Sequence, residues 1–577
     1  MPTPPGRLVV LATIAAVLGL AGGGAAWVLL HLIALVTNIA LFHRVAWQVP
    51  SFSTLPRGPW LVVAAVTGAL LVSLLAQWAP VIRGHGIPEA MEAVLTKQSR
   101  IAPRTALAKP LSAAIAIGTG GPFGAEGPII VTGGALGSLI GQLVPVTPSE
   151  RKILLAAGAA AGMSATFGAP LAAVVLAIEL LLFEFSTRAF VPLVVAASVA
   201  AGMHSALFGS GPLFEVPVHD YAGLARLPLF AVLGLACGIL AVVVSRGLFI
   251  VEEGFRRLPV SEFWHPIIGA FGFAFVGLVV PRALGVGYDA ISDVLLGRLA
   301  ATTVAALLVA KLLAWWVALG SGTSGGTLAP LLLIGGSFGM LFGTLTNSIA
   351  PGAHVNPGAF ALVAMAATFG AATRATFASI VFLFELTRDY QVILPLMLAS
   401  VVADVVAGAL LHESLMTEKL ARRGLRVRAE YETDILRTTV VADVMTRDVA
   451  TVPADATVAE VQHAFDVGGH GARPVVDADD RVVGILTRGD LLRHAEERAA
   501  DSLLDVCATD VVTVAPADPV LVALRKIVEE GVEHLPVVAH GRLVGICTRT
   551  DILRARARQF ELETHQPGWR PRARPRS

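Results

Sequence analysis

Two stretches of this chain, "KPLSAAIAIGTGGPFGAEGPIIVTGGALG" at 109–137 and "KLLAWWVALGSGTSGGTLAPLLLIGGSFG" at 311–339, run in one register. At a constant offset of 202, Lys109 meets Lys311, Gly118 meets Gly320, Gly120 meets Gly322 and Pro128 meets Pro330. Gly133, Gly134 and Gly137 meet Gly335, Gly336 and Gly339. The same offset lays "ATFGA" at 165–169 on "ATFGA" at 367–371, and "IEL" at 178–180 is answered by "FEL" at 384–386. Chance alignment of two apolar segments does not hold one register so long. A duplicated unit, with halves of about 8–215 and 222–410, therefore underlies most of the chain.

The halves are membrane-embedded. The 577 residues are 55% hydrophobic and 15% charged, with a mean hydropathy of +0.73. A soluble chain carries about 25% charged residues, so the expectation is an α-helical polytopic membrane protein. Apolar runs dominate to about residue 410, and charges become frequent after about residue 417. A soluble domain follows the membrane domain. The net charge of +1 says little about partners, and no nucleic-acid partner is expected. Cys237, Cys507 and Cys547 show neither metal spacing nor a disulfide framework, which fits a reducing cytosol. Arg7 precedes an apolar run from Leu8 to Leu30 with no clear cleavage site, so this run reads as a membrane segment and not a removable signal. Basic loops at 97–104 ("KQSRIAPR") and 150–152 ("ERK") are candidates for the cytoplasmic side of the cell (inner or plasma) membrane.

Duplicated membrane domains are typical of transporters, with the site at the repeat interface and built from broken helices. A helix start exposes free N–H groups and the positive end of the helix dipole, so several starts aimed at one point hold an anion without a full positive charge. "GHGIPEA" (84–90), "GAEGPII" (124–130) and "GGTLAPL" (325–331) each place Gly before Pro at an apparent helix start. The alternative for each is an ordinary tight turn or close helix contact. Glu126 is the lone carboxylate in its stretch. An ionisable group within a membrane domain is a functional candidate by default, and a helix-capping carboxylate is its bland alternative.

These stretches resemble the CLC family of chloride channels and chloride/proton antiporters. "GHGIPE" is similar to its GxGIP motif, "GAEGP" to its G(K/R)EGP motif and "GGTLAP" to its GxFxP motif. The likeness continues through "GAPLAAVVLAIEL" and "DYQVILPLMLAS". The resemblance implies an inverted-repeat domain at 1–417 and a homodimer with a separate pore for chloride or a similar small anion in each subunit. It places Glu126 on the gating glutamate, which blocks the pore as a carboxylate and swings away when protonated. It implies an anion site from Gly84, His85, Gly86, Ile87, Ala125, Gly127, Thr327 and Leu328.

The chain departs from the pattern at several positions. His85 stands where many members have Ser, and Met416 where the family has a pore tyrosine, so two hydroxyl donors are missing. Ala125 replaces the basic residue before the gate, and Leu328 the Phe of GxFxP. Leu180 occupies the position of the inner glutamate that relays protons in many coupled members, which implies weak or absent coupling. Glu179 remains on the candidate proton path with Glu126, with a structural helix-end or dimer-side role as its alternative. Lys109 aligns with a family lysine beneath the pore, where it raises the anion potential. Its mate Lys311 is expected to snorkel to an interface. His85 either offers a ring N–H to the anion and titrates there, or points to the cytosolic mouth and leaves only its backbone at the ion.

The tail is a second repeat. "DVMTRDVATV" (443–452) answers "DVCATDVVTV" (505–514), and "RPVVDADDRVVGILTRGDLL" (473–492) answers "LPVVAHGRLVGICTRTDIL" (535–553). Strand-length runs alternate with helical runs at 457–469 and 519–531, giving two small α/β units. They resemble a pair of cytosolic CBS domains, at 440–495 and 502–557, after a linker at 418–439 and before a basic disordered tail at 558–577. Thr487, Asp490, Thr548 and Asp551 fall on the motif that in many CBS pairs binds adenine nucleotide (ATP, ADP or AMP). A dimer scaffold that binds nothing is the alternative. No cofactor is required. A cation transporter would need more acidic residues in the membrane core. An enzyme would need a nucleophile–base pair or a metal cluster, and neither is present there. A purely structural protein leaves the Gly/Pro helix starts unexplained.

Overall fold

The computed structural model describes residues 5–216, 226–425, 439–461, 465, 471–494 and 502–564. The last part of the Arg-rich tail, most of the expected linker and part of the 457–469 helical run lie outside these residues. The chain forms two compact units, Met1–Tyr431 and Glu432–Ser577.

The first unit is helical. Its first half runs α1 (Pro5–Phe42), α2 (Pro59–Trp78), α3 (Ile87–Thr96), α4 (Pro103–Gly118), α5 (Glu126–Leu143), α6 (Pro148–Phe167), α7 (Pro170–Ala177) and α8 (Thr187–Phe208). The second half runs α9 (Leu227–Arg256), α10 (His265–Val279), α11 (Tyr288–Leu295), α12 (Ala301–Gly320), α13 (Leu328–Ile349), α14 (Pro357–Thr373), α15 (Thr376–Thr387) and α16 (Ile393–Leu410). A short α17 (Glu418–Arg422) follows. The halves correspond helix for helix. The packing repeats as well: α5 lies on α6 as α13 lies on α14, and α1 on α8 as α9 on α16. Among the described residues seven helices are long and apolar enough to cross a membrane. By contrast α3, α7 and α11 have 10, 8 and 8 residues, so at 1.5 Å per residue each spans about half of a 30 Å hydrocarbon core.

Small residues let these helices approach closely, as packing within a bilayer requires. A Cβ on Gly133 of α5 would overlap the Gly158 carbonyl of α6, and one on Gly158 would overlap the Gly133 carbonyl. Apolar side chains such as Trp60, Phe271, Phe275 and Val405 stay exposed on the outside, where lipid replaces water.

The second unit holds a three-stranded sheet of β1 (Val452–Pro453), β2 (Ala472–Val476) and β3 (Val482–Thr487), and a two-stranded sheet of β4 (His534–Ala539) and β5 (Arg542–Thr548). The β2–β3 and β4–β5 pairs are antiparallel, with register shifts at the repeat-equivalent Val475/Val476 and Val537/Val538. Among the described residues four helices accompany them: α18 (Val441–Val444), α19 (Arg488–His494), α20 (Val520–Glu529) and α21 (Arg549–Thr564). The repeats exchange their leading segments. Thr446 trades both backbone hydrogen bonds with Ile546, at 2.9 Å each, and Ala508 does the same with Ile485 at 3.1 and 2.9 Å. Val441 accordingly packs with Val520, Leu535 and Cys547 of the second repeat, while Leu503 and Val506 pack with Val475 and Leu486 of the first. Burial pushes the Cys547 thiol up to about 12, so it is an inert core group.

Two boundaries move. Residues 418–422, assigned to the linker from sequence, form α17 within the first unit. Residues 558–564, assigned to a disordered tail, continue α21. Each repeat core of the second unit also borrows its first segment from the other.

Candidate anion site

Three helix starts meet. Gly124 and Gly326, equivalent by the offset of 202, pair with each other antiparallel: Gly326 N–H donates to Gly124 O at 2.8 Å, and Gly124 N–H to Gly326 O at 3.2 Å. Two equivalent residues paired head to tail mark a local two-fold axis between the halves, the arrangement expected of an inverted repeat. Gly84 forms a parallel bridge with Ser324. The starts of α3, α5 and α13 are thereby stitched side by side, each with free N–H groups in its first turn. Gly86 needs its glycine twice over. Its φ is +94°, and a Cβ there would sit 2.7 Å from Val131 Cγ2.

Glu126, the first residue of α5, is buried. Its Oε1 accepts from the Tyr288 hydroxyl at 2.9 Å. Its Oε2 lies over the Gly124–Gly326 pair, where a Cβ on Gly326 would stand 2.9 Å away and one on Gly124 would overlap it. Oε2 has no hydrogen-bond partner of good geometry, and the carboxylate lies near its own backbone N–H and that of Ala329 in the first turn of α13. The two glycines thus make the seat for the carboxylate.

The other expected residues gather around this point. Ala125, Gly127, Ile87, Thr327 and Leu328 are buried at the same helix starts. A Cβ on Gly127 would overlap the His85 carbonyl, so these two backbones touch. The His85 ring is buried and its Nδ1 has no partner. Lys109 and Lys419 are the charges it faces. Met416 is fully buried just before α17 and brings a thioether where a hydroxyl was missed. Leu180 joins Ile87, Ile130, Ala160 and Met163 around an apolar gap.

Two charged pairs repeat across the axis. Lys109 Nζ donates to the carbonyls of Ile82 and Gly84, at 2.7 and 2.8 Å, and so holds the loop into α3. Lys311 does not snorkel. It is fully buried and donates to the Gly285 carbonyl at 2.8 Å, holding the equivalent loop into α11. Likewise Glu179, in a π turn after α7, accepts from the Ala378 N–H at the start of α15 at 2.9 Å. Glu385 of α15 accepts from Leu171 and Ala172 at the start of α7, at 3.0 and 2.7 Å. Each glutamate caps the other half's helix. Glu179 therefore has the helix-end role left open by the sequence.

Sequence reasoning missed Tyr288. It heads α11 after "GVG" at 285–287, which answers "GHG" at 84–86 with an offset of 201. The signal was the repeated Gly-x-Gly. Below the helix starts, Gly84, Glu89, Lys97, Glu252, Lys419 and Arg423 are among the residues lining a charged cavity of about 760 Å³.

In the second unit both Thr-x-x-Asp segments are capping boxes. Asp490 Oδ2 accepts from Thr487 N and Oγ1 at 3.0 and 2.6 Å, and Asp551 Oδ2 from Thr548 N and Oγ1 at 2.9 and 2.7 Å. Each Asp N–H in turn donates to the Thr hydroxyl at 3.2 Å.

Fold and site together define a membrane transport protein of the inverted-repeat, broken-helix class. Residues 67–408 match the family described as voltage gated chloride channel, and residues 441–497 and 503–558 match the CBS domain. The chain is 31% identical over 387 residues to the H(+)/Cl(-) exchange transporter ClcA of Vibrio campbellii, covering 63% of this chain and 82% of that protein. It is 28% identical over 565 residues to the chloride channel protein CLC-f of Arabidopsis thaliana, covering 84% and 71% respectively. Its fold is similar to that of a slow cyanobacterial Cl-/H+ antiporter, with a TM-score of 0.62 and 26% identity over 73% of this chain and 98% of the other. A eukaryotic CLC transporter shares the fold over 94% of the chain, with a TM-score of 0.61 and 20% identity. The chain belongs to the voltage-gated chloride channel (CLC) family of anion transport proteins, and it carries a C-terminal pair of CBS domains.

Proposed function

We propose that the protein is a homodimer whose subunits each conduct chloride or a similar small anion, gated by protonation of Glu126 and weakly coupled or uncoupled to protons. One observation carries the gate: a buried carboxylate seated on two glycines where three helix starts meet. A carboxylate and a halide compete for the same free N–H groups, so the ionised side chain excludes the ion. Weak coupling rests on Leu180, which sits among apolar side chains and carries no proton. Lys109 supports the site by fixing Gly84 and by its charge. The CBS pair lies in the cytoplasm and takes adenine nucleotide near Thr487, Asp490, Thr548 and Asp551. Proton-coupled antiport is the second reading, favoured by relatives named as exchangers.

Reconstitution into liposomes tests both. Glu126→Gln gives anion flux that varies little with external pH, whereas wild-type pH dependence in that variant overturns the gate. A reversal potential that ignores an imposed proton gradient supports weak coupling, and robust uphill proton movement driven by chloride replaces it with antiport.

A further inference from the structure

We propose that Tyr288 is a positioning residue that latches the Glu126 gate shut. The inference rests on the reading of Glu126 as the gate and deepens it. The second half of the repeat supplies the latch to the first half.

The geometry is specific. Tyr288 opens α11, and the preceding Gly287, at φ +85°, turns the chain so that the ring leaves toward α5. Phe167 and Phe214 meet the ring edge-on, with centroids 6.4 and 6.3 Å away. The phenol, so clamped, donates to Glu126 Oε1 at 2.9 Å across a sequence separation of 162. Its repeat equivalent, Ile87, brings no donor. The hydroxyl is thus a feature of one half alone, placed on the half that faces the carboxylate.

A phenol can donate to a carboxylate, and that bond strengthens when the acceptor is charged. Tyr288 therefore favours the ionised, seated gate over the protonated, displaced one. The other charges facing Glu126 are few. Lys311 of α12 faces it and is held on the Gly285 carbonyl. Asp289, next to Tyr288, is occupied by the Ser51 hydroxyl and by Arg282. His85, Lys109 and Lys419 lie toward the α3 side of the helix starts. None of these supplies a second side-chain hydrogen bond to the carboxylate.

The test is anion flux from liposomes against external pH between about 4 and 8, bracketing the reference carboxyl value, in wild type, Tyr288→Phe, Glu126→Gln and the double variant. Tyr288→Phe keeps the ring between Phe167 and Phe214 and removes only the donor. Its half-maximal flux moves to higher pH by about one unit, the size set by a single charge-assisted bond. The double variant is as flat as Glu126→Gln. Should Tyr288→Phe assemble poorly on size exclusion, 3-fluorotyrosine at position 288 is the second probe. Its more acidic phenol donates more strongly and moves the profile to lower pH. A Tyr288→Phe or 3-fluorotyrosine profile superimposed on wild type, with Glu126→Gln flat, overturns the latch and leaves the gate standing. Wild-type pH dependence in Glu126→Gln overturns both.

Discussion

Glu179 and Glu385 offer the sharpest separation of a structural carboxylate from a proton relay. Glu385 holds two N–H groups at the start of α7 and Glu179 holds one at the start of α15. A hydrogen bond to a charged group contributes about 1.5–3 kcal/mol. The Ala172 bond counts in full, while Leu171 is 59% exposed and its N–H counts for less. Glu385→Ala is then expected to cost about 2–4 kcal/mol and Glu179→Ala about 1.5–3 kcal/mol. Glutamine keeps the accepting oxygen without the charge, so Glu179→Gln should lose about half of that. The assay is equilibrium unfolding of detergent-purified protein by sodium dodecyl sulfate, paired with flux per folded molecule. The expected order of stability is wild type, Glu179→Gln, Glu179→Ala, Glu385→Ala, with flux unchanged within about twofold in the Gln variant. If Glu179→Ala is as stable as wild type, the capping argument fails. A Glu179→Gln protein of wild-type stability that no longer moves protons would make Glu179 a relay.

In the second unit, Asp551→Ala removes a capping box and should destabilise that unit by about 0.5–2 kcal/mol, with Asp551→Asn losing less. Calorimetric titration of the full chain with ATP, ADP and AMP should give heat that Asp490→Ala and Asp551→Ala weaken, and a silent titration of the wild type favours the scaffold. In the Glu126→Gln background, any residual dependence of flux on internal pH between about 5 and 8 should be flattened by His85→Ser. A flat profile before that change would mean the imidazole does not titrate in the pore.

The sequence made the repeat and three of the helix starts legible because each is a local signal. Gly and Pro punctuate the chain over a few residues, and a fixed offset needs only counting. Tyr288 escaped because its helix start lacks Pro and sits one residue off the main register. Its contact with Glu126 exists only after the halves fold together. The "IEL" and "FEL" match exposed the two glutamates but not their targets, since each carboxylate reaches across the axis to the other half. Asp490 and Asp551 fall on a nucleotide-binding motif, and Thr-x-x-Asp at a helix start is also a capping signature. Both Asp side chains are engaged with their own Thr. The exchanged segments of the CBS pair were hidden for another reason. Strand-length runs state that a segment pairs, not with which copy of a near-identical partner.

The two-fold frame and the chemistry it carries have different symmetries, and that difference explains how a duplicated fold acquires a one-sided gate. The scaffold positions are matched: Gly124 with Gly326, Lys109 with Lys311, Glu179 with Glu385. Each pair makes the same kind of contact on both sides of the axis. The positions at the helix starts are not matched. Glu126 corresponds to Leu328, Ile87 to Tyr288 and His85 to Val286. Glu126 and Leu328 head α5 and α13, and Ile87 and Tyr288 head α3 and α11, so the unmatched chemistry is concentrated at the helix starts. Placing the carboxylate on one half and its hydroxyl donor on the other also ties the seated gate to the fit between halves. A shift of α11 against α5 would lengthen the Tyr288–Glu126 bond and loosen the gate, while the contacts within each half stayed intact.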